Sequence, residues 1–138
     1  MAPIAAAIAI AIAMGCAAPG AGDSTFPADP YVTLTGVQGH LIAEVRTSPS
    51  QPPTRGMCSV ELVVTTVTGT PQDGLTIEAT PWMPKTADGA SVHPRVTPQG
   101  EGHYRLDDVA FEESGEWQLR TTFFGLLSDE ITPVFQVQ

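Results

Sequence analysis

The sequence predicts an all-β protein, an immunoglobulin-like antiparallel β-sandwich of about seven strands. Three observations lead to this prediction. Apolar residues recur at every second position in several short runs, turn-forming residues separate the runs, and no segment longer than a turn has the spacing of an amphipathic helix. Because about seven such strands fit into about 110 residues, one two-layer domain accounts for them.

The alternating runs define the predicted strands. Cys58 and the apolar residues at every second position after it would face one side of a strand, while Ser59 and Glu61 would face the other, as in a half-buried strand. Because Pro133 cannot donate to a ladder, we expect the last strand to be an edge strand or to contain a bulge. The predicted strands are 41–46, 58–65, 75–80, 103–107, 117–123 and, roughly, 131–137.

Turn chemistry and aromatic residues support this arrangement. Trp117 is in phase with the apolar residues of its strand, so we predict that it faces the interior. We expect Trp82, Tyr104 and Trp117 to hold the fold together. Glycine, proline and polar residues form predicted turns at 71–74, 99–102 and 113–115.

The first 15 residues are apolar and are followed by Cys16; the first charged residue is Asp23. A run this short is below the roughly 20 residues that span a bilayer and is typical of a signal peptide. Because small residues precede Cys16, we predict a lipoprotein signal at 1–15 and lipidation of Cys16. The alternative is an ordinary signal peptide that is cut among the alanines. Either signal predicts an exported protein, located in the periplasm or anchored to the outer membrane.

Composition divides the remaining chain into a linker and one domain. Residues 17–30 contain three prolines, two glycines and four alanines, which predicts a flexible linker before a domain at 31–138. The net charge is −9 with only six lysines and arginines, so the chain is a poor ligand for nucleic acid. The same charge disfavours anionic lipid, so we expect membrane attachment through the lipid anchor.

Two segments carry a family resemblance. Residues 82–89 read Trp-Met-Pro-Lys-Thr-Ala-Asp-Gly, and residues 111–117 read Phe-Glu-Glu-Ser-Gly-Glu-Trp. Together with Gly-His-Tyr-Arg at 102–105, they resemble the YtkA-like domain family, exported β-sandwiches linked to copper handling. The family patterns are roughly Trp-Met-Pro-x-Met-Gly-His-Gly, Phe-x-Met-Pro-Gly-x-Trp and Gly-x-Tyr. The resemblance implies a binding domain that carries copper or assists the assembly of a copper centre.

The family's ligand positions are not kept. Thr86 and Asp88 stand in place of Met and His in the first segment, and Glu113 and Ser114 replace Met-Pro in the second. Cu(I) prefers thioether, thiolate and imidazole ligands, so the remaining candidates for a copper site are other soft or borderline residues. They are Met83, His93, His103 and Met57. In the alternative interpretation, Met83 packs in the core and the histidines are solvated.

Nothing in the sequence predicts an enzyme, since it has neither a Gly-x-Ser-x-Gly elbow nor a His-Glu-x-x-His pair. Cys58 shares the parity of its apolar neighbours, which favours a buried small hydrophobe over a reactive thiol. We therefore expect a cell-envelope lipoprotein with a YtkA-like binding domain, a degenerate copper carrier or accessory. The alternative is a metal-free protein-interaction module of the envelope, in which an acidic loop face meets a basic partner.

Overall fold

Two antiparallel sheets face each other in the computed structural model, which describes residues 26–89 and 92–138. The strands are β1 (Val32–Thr35), β2 (Leu41–Ser48), β3 (Gly56–Thr66), β4 (Thr76–Met83), β5 (Asp88–Gly89), β6 (Arg95–Gly100), β7 (His103–Phe111), β8 (Gly115–Phe124), β9 (Asp129–Ile131) and β10 (Val134–Val137). The first sheet has the order β1-β2-β3-β7-β6. The second has the order β10-β8-β4-β5, and β9 also pairs with β8. The predicted all-β sandwich is confirmed.

The core lies between the sheets, where the alternating apolar residues meet. In β3, every second residue from Cys58 to Val64 is buried, and in β8 Trp117 and Phe123 are buried in the same way. Thr121 is also buried in this row, and its hydroxyl donates to the carbonyl of Leu119 at 3.0 Å. A polar residue therefore fits the core because its one donor is satisfied locally.

The prediction for the last strand agrees with the structure. Pro133 separates β9 from β10, and both short strands pair with β8. The carbonyl of Pro133 still accepts the backbone N–H of Leu119 at 2.9 Å. The proline therefore removes one N–H donor, while the hydrogen bonding to β8 continues past it. The exposed edge strand β6 was not predicted, because none of its residues is buried and its sequence lacks clear alternation.

The described end of the predicted linker lies against the outer face of the first sheet. The Arg46 guanidinium donates to the carbonyls of Pro27 at 3.0 Å and of Ala28 at 2.8 Å. The Arg105 guanidinium lies 5.4 Å from the centre of the Phe26 ring. Residues 1–25, which include the predicted signal peptide, Cys16 and most of the linker, lie outside the described residues.

The described residues include no helix of the length and hydrophobicity that crossing a membrane requires.

Three connections between strands lie at one end of the sandwich. β3 begins there opposite the end of β7, since Gly56 pairs with Phe111. The β7–β8 turn is at the same end, and the β4–β5 turn is next to it, because Trp82 pairs with Gln118 of β8. We call this the loop end, formed by residues 49–55, 84–87 and 112–114.

Candidate functional site

The two family-like segments meet at the loop end. The first comprises the end of β4, the turn at 84–87 and β5; the second comprises the end of β7, the turn at 112–114 and the start of β8. Met83 and Gly115 bring them into contact, because a Cβ on Gly115 would lie 3.4 Å from the Met83 Cε. Gly115 also has a φ of +128°, which L side chains rarely adopt. Glycine at this position is thus required by the backbone conformation, whereas a Cβ would reach Met83 only at ordinary van der Waals distance.

The first turn keeps the backbone shape that the family pattern implies. Ala87 stands where the pattern has glycine, and its φ of +56° lies in the left-handed region. Its N–H donates to the carbonyl of Pro84 at 3.3 Å, which closes the turn. A non-glycine residue in this conformation is uncommon and carries a modest strain. A residue in the left-handed region thus stands at the position where the family pattern has glycine.

Trp117 fixes the second segment from inside the core. It is buried, and its indole N–H donates to the backbone carbonyl of Glu113 at 2.8 Å. Its ring meets Phe111 edge-on at a centroid distance of 5.5 Å, a favourable aromatic geometry. One side chain thus ties both flanks of the turn at 112–114 to the core.

Trp82 lies elsewhere than expected. Neighbouring residues of a strand point to opposite faces, and here Met83 is buried while Trp82 is half-buried on the outer face of the second sheet. The Arg120 guanidinium lies over its ring at 4.3 Å from the centroid, a cation–π contact. The prediction that Met83 packs in the core is confirmed, whereas Trp82 is an aromatic residue of the surface.

The positions of the family's ligands present oxygen atoms. Thr86 and Glu113 are exposed at the loop end, and Asp88 begins the short strand β5. Glu116, on the outer face of β8, adds another exposed carboxylate near the second turn. Oxygen donors of this kind suit hard cations and are poor ligands for Cu(I). The two loops come together as a binding site would require, but their donor set does not fit copper.

The four sulfur and imidazole candidates are spread over the domain. Met57 is exposed near the loop end, where it pairs with Ala110, and Met83 is buried on the other sheet. His103 pairs with Val63, which is six residues further along β3 and so about 20 Å from Met57.

The imidazoles have other neighbours. The Nδ1 of His103 lies 3.3 Å from a carboxylate oxygen of Glu61. His93 is exposed and lies beside β4 at Ile77–Thr80, away from the loop end. Among the described residues, no three His, Cys, Asp or Glu side chains are grouped so that they could hold a metal ion. The structure therefore does not bring Met57, Met83, His93 and His103 together.

Cys58 is a free cysteine and is buried in the core row of β3. Burial raises the pKa of the Cys58 thiol to about 12, because the thiolate loses its hydration. The thiol therefore stays protonated at neutral pH and is a poor nucleophile and metal ligand. The prediction of a buried small hydrophobe is confirmed.

A charged network on the outer face of the first sheet was not predicted from the sequence. Arg105 donates to a carboxylate oxygen of Asp107 at 2.9 Å, and Ser59 donates to the same oxygen at 2.7 Å. Burial alone raises the pKa of Asp107, but these two hydrogen bonds and the positive charge of Arg105 outweigh it and lower the pKa. The alternation showed which residues face outward, but only the register between β3 and β7 showed which of them meet.

These features define a class: a two-sheet β-sandwich with two adjacent loops at one end. The chain belongs to the YtkA-like family, whose model matches residues 39–122 and thus includes both loops. No curated protein and no solved structure matches the chain. Membership of the family supports a binding domain of the cell-envelope type.

Proposed function

We propose that this protein is a lipid-anchored lipoprotein of the cell envelope whose YtkA-like domain binds a protein partner through its loop end. The observation that carries the proposal is the chemistry of the two loops. Met83, Gly115 and Trp117 hold them side by side, yet Thr86 and Glu113 present oxygen atoms where the family pattern has thioethers. A preserved pair of loops with hard, acidic side chains suits a polar protein surface better than Cu(I).

The charge indicates the kind of partner. The chain has a net charge of −9, and Glu113 in the β7–β8 turn and Glu116 near the start of β8 are both exposed carboxylates. Such a surface attracts a basic protein and speeds its association, and it repels acidic proteins. The partner is therefore a basic protein of the same compartment. The role is binding and not catalysis.

The anchor would place the domain at a membrane. Lipidation of Cys16 would supply acyl chains, and the domain begins ten residues later on the outer face of the first sheet, where Arg46 donates to the carbonyls of Pro27 and Ala28. At roughly 3.3 Å per extended residue, the ten residues from Cys16 to Phe26 span at most about 33 Å. The loop end would then work within a short distance of the bilayer surface.

The test is capture of a partner that depends on the loop-end charges. Intact cells expressing a tagged chain are crosslinked, and captured proteins are compared between wild type and a Glu113→Gln/Glu116→Gln variant. We expect the variant to lose a basic envelope protein, and we expect this capture to weaken as salt rises. A Glu130→Gln variant is the matched control, since Glu130 is an exposed carboxylate on β9, away from the loop end. Equal capture by all three chains would refute the proposal.

A copper carrier is the second candidate function. Met57 favours it, because this thioether is 58 % exposed near the loop end and is thus accessible to an incoming metal. Retention of one equivalent of Cu(I) by the wild-type chain against a competing chelator would support this candidate. Loss of copper to the chelator, together with charge-dependent capture of a partner, supports the interaction module.

A further inference from the structure

A β-bulge places two carboxylates side by side on the outer face of the first sheet. Where the register between β3 and β7 shifts, Asp107 and Asp108 together lie opposite Ser59. Both aspartates are half-buried, while Leu106 before them and Val109 after them belong to the core, so both carboxylates are on the outer side. The φ of Asp108 is +62°, in the left-handed region, so the backbone carries a modest strain in this arrangement.

Each of these carboxylates has one oxygen atom that accepts no hydrogen bond from the described residues. The Oδ1 of Asp107 accepts from Ser59 and Arg105, which leaves its Oδ2. The Oδ2 of Asp108 accepts from the Nε of Arg95 at 3.2 Å, which leaves its Oδ1. The Arg95 side chain is 70 % exposed, so this ion pair is a weak one of the surface. Two carboxylate oxygens therefore remain as acceptors for a ligand.

The two carboxylates line a cleft that also contains a nearly buried hydroxyl. The cleft has a volume of about 220 Å³, and all the residues that line it belong to the described part of the chain. Ser48, the last residue of β2, lines it as well; it is 8 % exposed, and its hydroxyl bonds to no described residue. Because a buried hydroxyl without a partner is costly, Ser48 is a third group that a ligand can satisfy. Met57 and Pro49, which are both exposed, add an apolar wall.

The size and chemistry of the cleft indicate what it binds. Sites for small molecules have volumes of roughly 300–1,000 Å³, so a cleft of about 220 Å³ is better suited to one side chain of a partner protein. That side chain must donate hydrogen bonds, because the remaining carboxylate oxygens only accept them. Arginine meets both requirements: its planar guanidinium donates to several oxygens at once, and its stem can pack against Met57 and Pro49.

We propose that this cleft receives an arginine side chain of the partner, with the guanidinium bound by Asp107, Asp108 and Ser48; the inference rests on the proposed role in binding a basic protein. The cleft adjoins the loop end, since Pro49 belongs to that end and Met57 is the second residue of β3. A partner that covers the loop end therefore reaches the cleft. An arginine anchored in a pocket is a common source of binding energy in protein interfaces.

The probes are two capped peptides, acetyl-Gly-Arg-Gly-amide and the same peptide with citrulline in place of arginine, added to the ¹⁵N-labelled protein. Citrulline has nearly the shape of arginine but carries no charge. We expect the arginine peptide to shift the amide signals of residues 57–59 and 107–108. It should bind about tenfold more tightly than the citrulline peptide, because hydrogen bonds from a charged donor to a carboxylate are the stronger ones.

Two variants test the role of the bulge. Asp108→Asn removes one charge, and asparagine tolerates the left-handed backbone of this position. It should weaken binding of the arginine peptide about fivefold and leave the citrulline peptide nearly unaffected. Glu101→Gln is the matched control, because Glu101 is an exposed carboxylate with a φ of +54° in the turn between β6 and β7. It should change neither affinity.

Several outcomes would overturn the proposal. They are the absence of shifts at 57–59 and 107–108 with millimolar peptide, equal affinity for the two peptides, or equal effects of Asp108→Asn and Glu101→Gln. Shifts at these residues with calcium chloride but not with the arginine peptide would assign the cleft to a metal ion and also overturn it. Charge-dependent capture by Glu113 and Glu116 is measured separately, so failure at the cleft leaves the proposed function standing. A chain that binds the arginine peptide but captures no basic protein would refute the proposed function alone.

Discussion

The carboxylate of Asp129 accepts the backbone N–H of Leu41 at 3.1 Å, although the two residues are 88 positions apart. The same oxygen accepts the N–H of His40 at 2.8 Å, and the other oxygen accepts those of Gln38 at 2.7 Å and Glu130 at 2.9 Å. One buried side chain thus joins the β1–β2 turn of the first sheet to β9 of the second. Burial alone raises the pKa of Asp129, but the four donors outweigh burial and lower it.

Replacing this carboxylate should destabilise the fold. In Asp129→Asn one oxygen is replaced by an NH₂ group that faces backbone donors, so two backbone N–H groups lose their acceptor. We expect the free energy of unfolding to fall by about 3 kcal/mol, measured by urea denaturation. Ser128→Ala is the control, because only the backbone carbonyl of this exposed residue makes a contact, with His40. A stability of Asp129→Asn equal to that of the control would show that the bonds are unimportant.

The stabilisation from Asp129 should disappear in acid. The folded-state pKa lies below the ordinary value of 3.8, so the contribution is fully present above that value. It is lost as the pH falls through the lowered pKa, because protonation removes an acceptor. The difference in unfolding free energy between wild type and Asp129→Asn should therefore shrink between pH 5 and about pH 2. A difference that is constant over this range would contradict the assignment.

The two tryptophans should differ in their contribution to stability. Trp117 is 2 % exposed, and Trp117→Ala should cost about 3–5 kcal/mol, enough to prevent accumulation of folded protein in cells. Trp82→Ala should cost about 1 kcal/mol, since it removes a surface contact with Arg120. Thermal melting and near-ultraviolet dichroism measure both. Similar melting points for the two variants would refute the observed register of β4 and β8.

The thiol of Cys58 should resist modification in the native protein. Burial and a pKa of about 12 leave almost no thiolate at pH 8, so reaction with a thiol reagent should require unfolding. We expect no reaction of Cys58 in native buffer and complete reaction in concentrated urea. A Cys58→Ala variant, which is small and apolar, identifies any signal from Cys16. Rapid reaction of the native wild-type thiol would place Cys58 at the surface.

Restoring the family's ligands should increase affinity for copper. The variant Thr86→Met/Asp88→His/Glu113→Met places soft ligands on two loops that Met83 and Gly115 already hold in contact. Because thioether and imidazole suit Cu(I) better than hydroxyl and carboxylate, competition with a Cu(I) chelator should show tighter binding. Wild-type affinity equal to that of the variant would direct attention to Met57, Met83, His93 and His103.

Lipidation should depend on Cys16. In Cys16→Ala the acyl acceptor is missing, so the chain should leave the membrane fraction or remain unprocessed. Membrane fractionation and intact mass measure this. A Cys58→Ala chain serves as the control for loss of a cysteine, and it should fractionate like wild type. Unaltered fractionation and mass of Cys16→Ala would mean that an ordinary signal peptide is cut elsewhere.

Local pattern in the sequence determined the fold class and most of the strands. A period of two places Val60, Leu62 and Val64 on one face whatever the partner strand, so alternation alone predicted β3 and its buried row. The motifs at 82–89 and 111–117 likewise pointed to the family, because turn chemistry and spacing are local properties. Their altered ligand positions were also readable without a structure.

Only the tertiary structure decided which distant residues meet. The four N–H groups on Asp129, the separation of Met57 from His103 and the cleft beside Asp108 all depend on strand pairing between remote segments. The sequence predicted a structural role for Trp82 and left Met83 open, and only packing against the other sheet showed that Met83 is buried while Trp82 lies on the outer face. The two-residue alternation of side chains is a property of a single strand, whereas the pairing register and the buried face depend on how all the strands of the sandwich pack together.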